Sequence, residues 1–268
     1  MNEVKFAVMG DGCRIAYRFD GPDEAPLVLL SNSLGTDMDM WKPQVEALRS
    51  SFRMLRYDCR GHGASDVPEG AYSIDRLGRD VIELLDALEI ARIDFCGLSL
   101  GGMIGQWLGW REPHRLSRLI IANSSPYMGP PEAWDQRIAT IQQSGMDAIA
   151  DAILERWFTE KFRRSDRDII FRFRETLSNT PVNGYAGCCA AIRDMDQRRA
   201  LALINVPTLV IGGLLDPATP MEHTNTLCAS IPNARIAKLE AAHLSSVECP
   251  SEFSDALKEF LSSDIEEP

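Results

Sequence analysis

Six short, mainly apolar runs bounded by turn residues set the strongest constraint on this chain. They are Leu27 to Leu30, Phe52 to Tyr57, Ile93 to Cys96, Leu119 to Ala122, Thr208 to Ile211 and Arg235 to Leu239. A strand with one wet face alternates apolar and polar residues, whereas a strand covered on both faces has no need to. Helical patterns lie between most of these runs. Asp75 to Leu88 sets Leu77, Val81, Leu84, Leu85 and Leu88 on one face, and Phe253, Leu257, Phe260 and Leu261 repeat the device near the end. Strands of this kind alternating with helices predict an α/β fold, a mostly parallel central sheet flanked by helices. Ahead of it, Val4 to Met9 and Cys13 to Phe19 alternate about Gly10-Asp11-Gly12 and predict a hairpin.

From residue 126 to residue 200 the alternation stops. Helical segments such as Met146 to Phe158 and Asp166 to Leu177 appear there, with no convincing strand. The expected organisation is therefore a core domain, 1–125 and 201–268, interrupted by a helical cap at 126–200. Charge divides the same way. The cap holds 11 basic and 11 acidic residues, so the remainder carries the whole net charge of −11. An anionic small molecule would be better received from the cap side, and a nucleic-acid partner is disfavoured. No apolar run approaches the length of a membrane span, and the first residues lack the basic-then-apolar order of a signal peptide. Seven cysteines scattered without a C-x-x-C pair point to free thiols in a reducing cytoplasm, not to disulfides or zinc. Monomer and homo-oligomer both remain open.

Gly97-Leu98-Ser99-Leu100-Gly101 directly follows one of the apolar runs and opens a helical pattern. In that context G-x-S-x-G predicts a nucleophile elbow, a sharp turn that exposes a serine hydroxyl above a helix N-terminus. Four histidines are available as its base. His62 lies on a tight Gly-His-Gly turn, where a structural or substrate-facing role fits better, His114 on a surface loop, and His223 early in a helix only seven residues past Asp216. His243 follows the last strand, on a loop where the carboxyl ends of parallel strands meet. Asp216, just beyond the Thr208 to Ile211 run, is the candidate acid, in the chain order Ser, Asp, His. Asp194 and Asp196 fall in the cap, the wrong place to orient a loop histidine. An oxyanion requires two backbone N–H donors. Leu100 is the candidate for the first and Leu34, in Ser31-Asn32-Ser33-Leu34-Gly35, for the second.

Together these stretches resemble the 3-oxoadipate enol-lactonases of the α/β-hydrolase superfamily over nearly the whole chain. The resemblance rests on S-N-S-L-G-T-D at 31–37, R-Y-D-C-R-G-H-G-A-S-D at 56–66 and G-L-S-L-G-G-M-I-G-Q-W-L at 97–108. It continues through G-Y-A-G-C-C-A-A-I-R-D-M-D at 184–196, D-P-A-T-P at 216–220 and A-A-H-L-S-S at 241–246. Two departures stand out: Asn32-Ser33 where many α/β-hydrolases have His-Gly, and Leu100 where Met is more usual. The resemblance implies hydrolysis of 3-oxoadipate enol-lactone to 3-oxoadipate in bacterial breakdown of catechol and protocatechuate, with no metal or organic cofactor. It further implies a carboxylate-bearing lactone as the small-molecule partner. Arg193 is the expected carboxylate partner and Trp134 the expected aromatic wall. For Arg193 a surface ion pair with Asp194 or Asp196 is an equal alternative, and for Trp134 a plain core position. Cys188 and Cys189 read as small wall residues. A carboxylesterase or carbon–carbon hydrolase with the same triad, or a ligand sensor that retains it, are the competing readings. Dehalogenases and epoxide hydrolases of this fold are disfavoured, because they place Asp where this chain has Ser99.

Overall fold

In the computed structural model, which describes residues 3–263, eight strands form one sheet. They are β1 (Lys5–Val8), β2 (Arg14–Asp20), β3 (Leu27–Ser31), β4 (Arg53–Tyr57), β5 (Ile93–Leu98), β6 (Leu116–Ala122), β7 (Thr208–Gly213) and β8 (Arg235–Leu239). The spatial order is β1-β2-β4-β3-β5-β6-β7-β8. β1 pairs with β2 and β2 with β4 antiparallel, and every other pairing is parallel. Central β5 is buried at all six positions, as a strand covered on both faces should be. Edge strands β1 and β8 are largely exposed.

The helices follow in order: α1 (Lys42–Leu48), α2 (Ile74–Ala87), α3 (Leu100–Arg111), α4 (Pro131–Ser144), α5 (Asp147–Trp157), α6 (Glu160–Ser165), α7 (Arg167–Asn179), α8 (Val182–Asp194), α9 (Met221–Ser230), α10 (Ser245–Glu248) and α11 (Pro250–Ser262). α2 starts at Ser73, whose side chain accepts the Arg76 N–H as an N-cap, and it buries Leu77, Val81, Leu84 and Leu85. α3 is buried from Leu100 through Gly109 because it lies between the sheet and α2. α4 to α8 are inserted between β6 and β7, with no strand among the described residues of that segment.

One topological feature locates the site. β3 lies between β4 and β5, so the chain leaves β3 toward one side of the sheet for β4 and later returns on the other side as β5. Loops leaving the carboxyl ends of β3 and β5 therefore diverge and leave a crevice, the place where open α/β sheets bind ligands. The cap helices follow β6 at that same edge.

Candidate active site

Ser99 sits between β5 and α3 with φ 57° and ψ −112°, a conformation in which a non-glycine residue is strained. The flanking glycines make this turn feasible. A Cβ on Gly97 would lie 2.1 Å from the Gly101 carbonyl oxygen, and one on Gly101 would lie 2.2 Å from that of Ser31. The spacing G-x-S-x-G is thus a packing requirement, in which strand and helix approach too closely for any side chain.

His243 Nε2 lies 2.9 Å from Ser99 Oγ, and its Nδ1 lies 2.8 Å from Asp216 Oδ2. All three side chains are nearly solvent-free. Burial alone would push the Asp216 carboxyl upward. The charge of His243, with hydrogen bonds from His243, Thr219 and Asn123, outweighs it and holds the group well below the usual carboxylate range. Asp216 Oδ1 accepts the N–H groups of Ala218 and Thr219, while Oδ2 accepts Thr219 Oγ1–H and Asn123 Nδ2–H. Its ionised form is fixed in place. The arrangement supplies a hydroxyl nucleophile, a base hydrogen-bonded to it and an acid that orients the base.

Two backbone N–H groups, at Leu34 and Leu100, lie on the loops that flank the nucleophile. Leu100 is the first residue of α3, so its N–H has no partner within the helix. At Leu34 the preceding Ser33 carbonyl accepts both the N–H and the Oγ1–H of Thr36, at 3.2 and 2.8 Å. Carbonyl and N–H point oppositely across a trans peptide, so the Leu34 N–H turns away from Thr36. Neither N–H is bonded to an acceptor among the described residues. The Gly101 N–H to Asn32 carbonyl bond, 3.0 Å, ties the two loops together.

The other histidines stand apart. His114 is exposed beside Glu112. Ser125 donates its hydroxyl to the Tyr127 carbonyl, so His223 Nδ1, 2.6 Å away, is the donor to Ser125 and is not placed as a base toward it. His62 is buried against the 33–38 loop, away from Ser99.

A small cleft of about 70 Å³, partly open to solvent, lies above Ser99 and His243. Trp134 from α4, Trp157 from α5 and Tyr185 and Ile192 from α8 form its walls. Trp134 lines the cleft, its indole N–H donating to the Met128 carbonyl at 2.7 Å. Arg193 does not. Its guanidinium is spent on Asp194, at 2.7 and 2.9 Å, and on Asp135, at 2.7 Å, outside the cleft. Ile192 faces the cleft, and one residue further along a helix turns the side chain by about 100°, which carries Arg193 away. The cleft's cations are Arg137 and Arg156, which sequence reasoning missed. Neither has an ion-pair partner among the described residues. Arg137 is half-buried and stacks over Trp134, 4.7 Å from the ring centroid. Arg156 reaches the cleft from α5 with much of its surface in solvent; partial burial and the charge of Arg137 both disfavour its cationic form. The available signal was spacing, since Arg137 lies one turn beyond Trp134 and shares its face. Asn123 was also missed, although it directly follows β6 as Ser99 follows β5.

The family model for the alpha/beta hydrolase fold matches residues 26–165. The chain is an α/β-hydrolase. Within that family it is 39% identical to 3-oxoadipate enol-lactonase 2 of Acinetobacter baylyi over 242 residues, covering 90% of this chain and 91% of the relative. The enol-lactonase of Burkholderia xenovorans superimposes with a TM-score of 0.95 at 41% identity, over 97% of this α/β-hydrolase and all of that chain. A hydrolase from Pseudomonas aeruginosa matches with the same TM-score at 48% identity, over 97% and 99% of the two chains. This α/β-hydrolase is accordingly an ester or lactone hydrolase of the enol-lactonase type. Among its described residues no helix is long and apolar enough to cross a membrane.

Proposed function

We propose that this enzyme hydrolyses 3-oxoadipate enol-lactone to 3-oxoadipate, as a step in the β-ketoadipate route of aromatic breakdown. The observation that carries the reading is the pair of cleft arginines, Arg137 and Arg156, without ion-pair partners among the described residues in a protein of net charge −11. A guanidinium lining a serine-hydrolase cleft is suited to a substrate that brings its own carboxylate. The A. baylyi relative carries the name of this activity.

In this mechanism Ser99 Oγ attacks the lactone carbonyl carbon while His243 Nε2 takes the hydroxyl proton, and Asp216 holds the imidazole in its tautomer. The negative oxygen of the tetrahedral intermediate accepts the N–H groups of Leu34 and Leu100. Collapse breaks the ring carbon–oxygen bond. The departing oxygen is an enolate, a better leaving group than an ordinary alkoxide, and it takes the proton from His243. The opened chain stays esterified to Ser99. Water, deprotonated by His243, then releases the new carboxylate, and the enol becomes the ketone. Arg137 holds the substrate's original carboxylate, and Trp134 covers the ring.

The test is kcat/KM for the enol-lactone against a neutral ester such as p-nitrophenyl acetate, with the product identified by mass. A strong preference for the enol-lactone is expected. Faster turnover of the neutral ester would make the protein a carboxylesterase, and negligible turnover of both would make it a ligand sensor.

A further inference from the structure

The turn Gly61-His62-Gly63 makes no hydrogen bond to Ser99, yet two hydrogen bonds join its loop to the loop that carries Leu34, and a third, from Ala64 to Asp58, braces the His62 loop itself. The Gly35 N–H donates to His62 Nε2 at 3.0 Å. Asp58 receives the Met38 N–H on Oδ1 at 2.7 Å and the Ala64 N–H on Oδ2 at 2.9 Å. A backbone N–H can only donate, so Nε2 is the acceptor and the ring proton of the neutral imidazole lies on Nδ1, facing the Arg60 carbonyl at 3.3 Å. Complete burial keeps the imidazole neutral by lowering its pKa to about 4.

The cap closes over this arrangement. Tyr185 of α8 lies 6.4 Å from the imidazole, ring centroid to ring centroid, and Cys188 Sγ approaches Nδ1 at 4.0 Å. Backbones meet directly at Gly61 and Gly184, where a Cβ on Gly184 would stand 2.1 Å from the Gly61 carbonyl oxygen. α8 therefore rests on the His62 turn, and the His62 turn holds the Leu34–Gly35 peptide.

We propose that His62 is a positioning residue for the oxyanion hole, and that cap helix α8 sets the aim of the Leu34 N–H through it. Gly35 N–H belongs to the peptide following Leu34, so anchoring it restricts Leu34 ψ. The Thr36 bonds to the Ser33 carbonyl restrict the peptide preceding it. Leu34 is thereby held from both sides, as a preorganised donor has to be. This inference rests on Ser99 chemistry but not on the identity of the lactone, so p-nitrophenyl acetate serves as its substrate and a failure of the enol-lactone assignment leaves it standing.

The experiment measures kcat and KM for p-nitrophenyl acetate, with the affinity of phenylboronic acid, whose tetrahedral adduct on a serine places an oxygen in the oxyanion hole. The proteins are wild type, His62→Leu, His62→Gln and Gly184→Ala, each checked by thermal melting. Complete loss of an oxyanion donor costs about 10²- to 10³-fold. A displaced donor should cost less, so His62→Leu is expected to lower kcat about 10- to 100-fold with KM within about threefold. Boronic acid affinity should fall in parallel. His62→Gln, which can offer an oxygen near the Nε2 position, should recover part of the loss. Gly184→Ala, which pushes α8 off the turn, should lower kcat and boronic acid affinity as well, together with a rise in KM because Tyr185 and Ile192 of α8 line the cleft. Unchanged kcat in a folded His62→Leu overturns the proposal. So does a rise in the KM of His62→Leu that accounts for its lost kcat/KM, because that is the signature of a damaged cleft. Boronic acid affinity that stays constant while kcat falls also overturns it.

Discussion

Replacing Arg137 by Ala separates a carboxylate-binding cleft from a generic one. The guanidinium is half-buried and, among the described residues, has no carboxylate of its own. A substrate carboxylate would therefore be its first counter-ion and would not have to displace another. A hydrogen bond to a charged group in such a place is worth about 2–3 kcal/mol, equivalent to about 30- to 150-fold in kcat/KM. One loss is common to all substrates. Arg137 also stacks over Trp134, an interaction worth about 0.5–1 kcal/mol, so a neutral ester should lose no more than about fivefold. Arg137→Lys should recover only part of the lactone activity, because an ammonium retains the charge without the planar fork. Arg193→Ala is the internal control. It breaks ion pairs to the exposed Asp135 and Asp194 outside the cleft, and surface pairs of that kind contribute about 0–1 kcal/mol. Its lactone kcat/KM should stay within about threefold of wild type. The assay follows loss of the enol chromophore for the lactone and release of p-nitrophenol for the ester. Equal losses on the two substrates in Arg137→Ala would refute the reasoning, and so would a larger loss in Arg193→Ala.

Ser99→Ala should retain the wild-type melting behaviour while losing about 10⁴-fold or more in kcat; a rate above a tenth of wild type would remove the serine from the mechanism. Asp216→Asn should cost about 10⁴-fold in kcat, since the amide presents an NH2 group to donors now facing carboxylate oxygens and no longer fixes the His243 tautomer. Stability at acid pH should carry the signature of His62. Its folded pKa of about 4 lies below the ordinary histidine value of about 6.5, so between those values the unfolded chain binds the extra proton. The neutral ring's contribution is fully present above about pH 6.5 and is lost as pH falls toward 4, about 2–3 kcal/mol between pH 7.5 and 4.5. Urea unfolding of wild type should accordingly lose that much more stability over the interval than His62→Gln, and parallel losses would contradict the buried neutral imidazole.

Much of the architecture was legible in the sequence because it rests on local patterns. Each apolar run names a strand, from Leu27–Ser31 to Arg235–Leu239, and α2 shows its face at Leu77, Val81, Leu84 and Leu85. The elbow is equally local, because Gly97 and Gly101 are demanded by contacts within a few residues of Ser99 and with the adjoining strand. α8 escaped notice for the opposite reason. Val182–Asp194 contains Gly184, Gly187, Cys188, Cys189 and Ala190, and Gly184 through Ile192 are buried all round, so it has no polar face to betray its period. Likewise α4 has only Trp134 and Ile141 buried, too sparse a stripe to read.

What sequence alone determined, then, was that Ser99, Asp216 and His243 could meet, since each follows its own strand at the carboxyl edge of a parallel sheet. What tertiary structure decided was which cation faces them. Arg193 and Arg137 are both arginines on cap helices, and the family resemblance favoured the one inside the stretch 184–196. Their roles differ because helix phase turns Arg193 toward Asp194 and Asp135 and turns Arg137 over Trp134 into the cleft. A residue's partners across helices depend on how those helices pack, and no spacing within one helix carries that information.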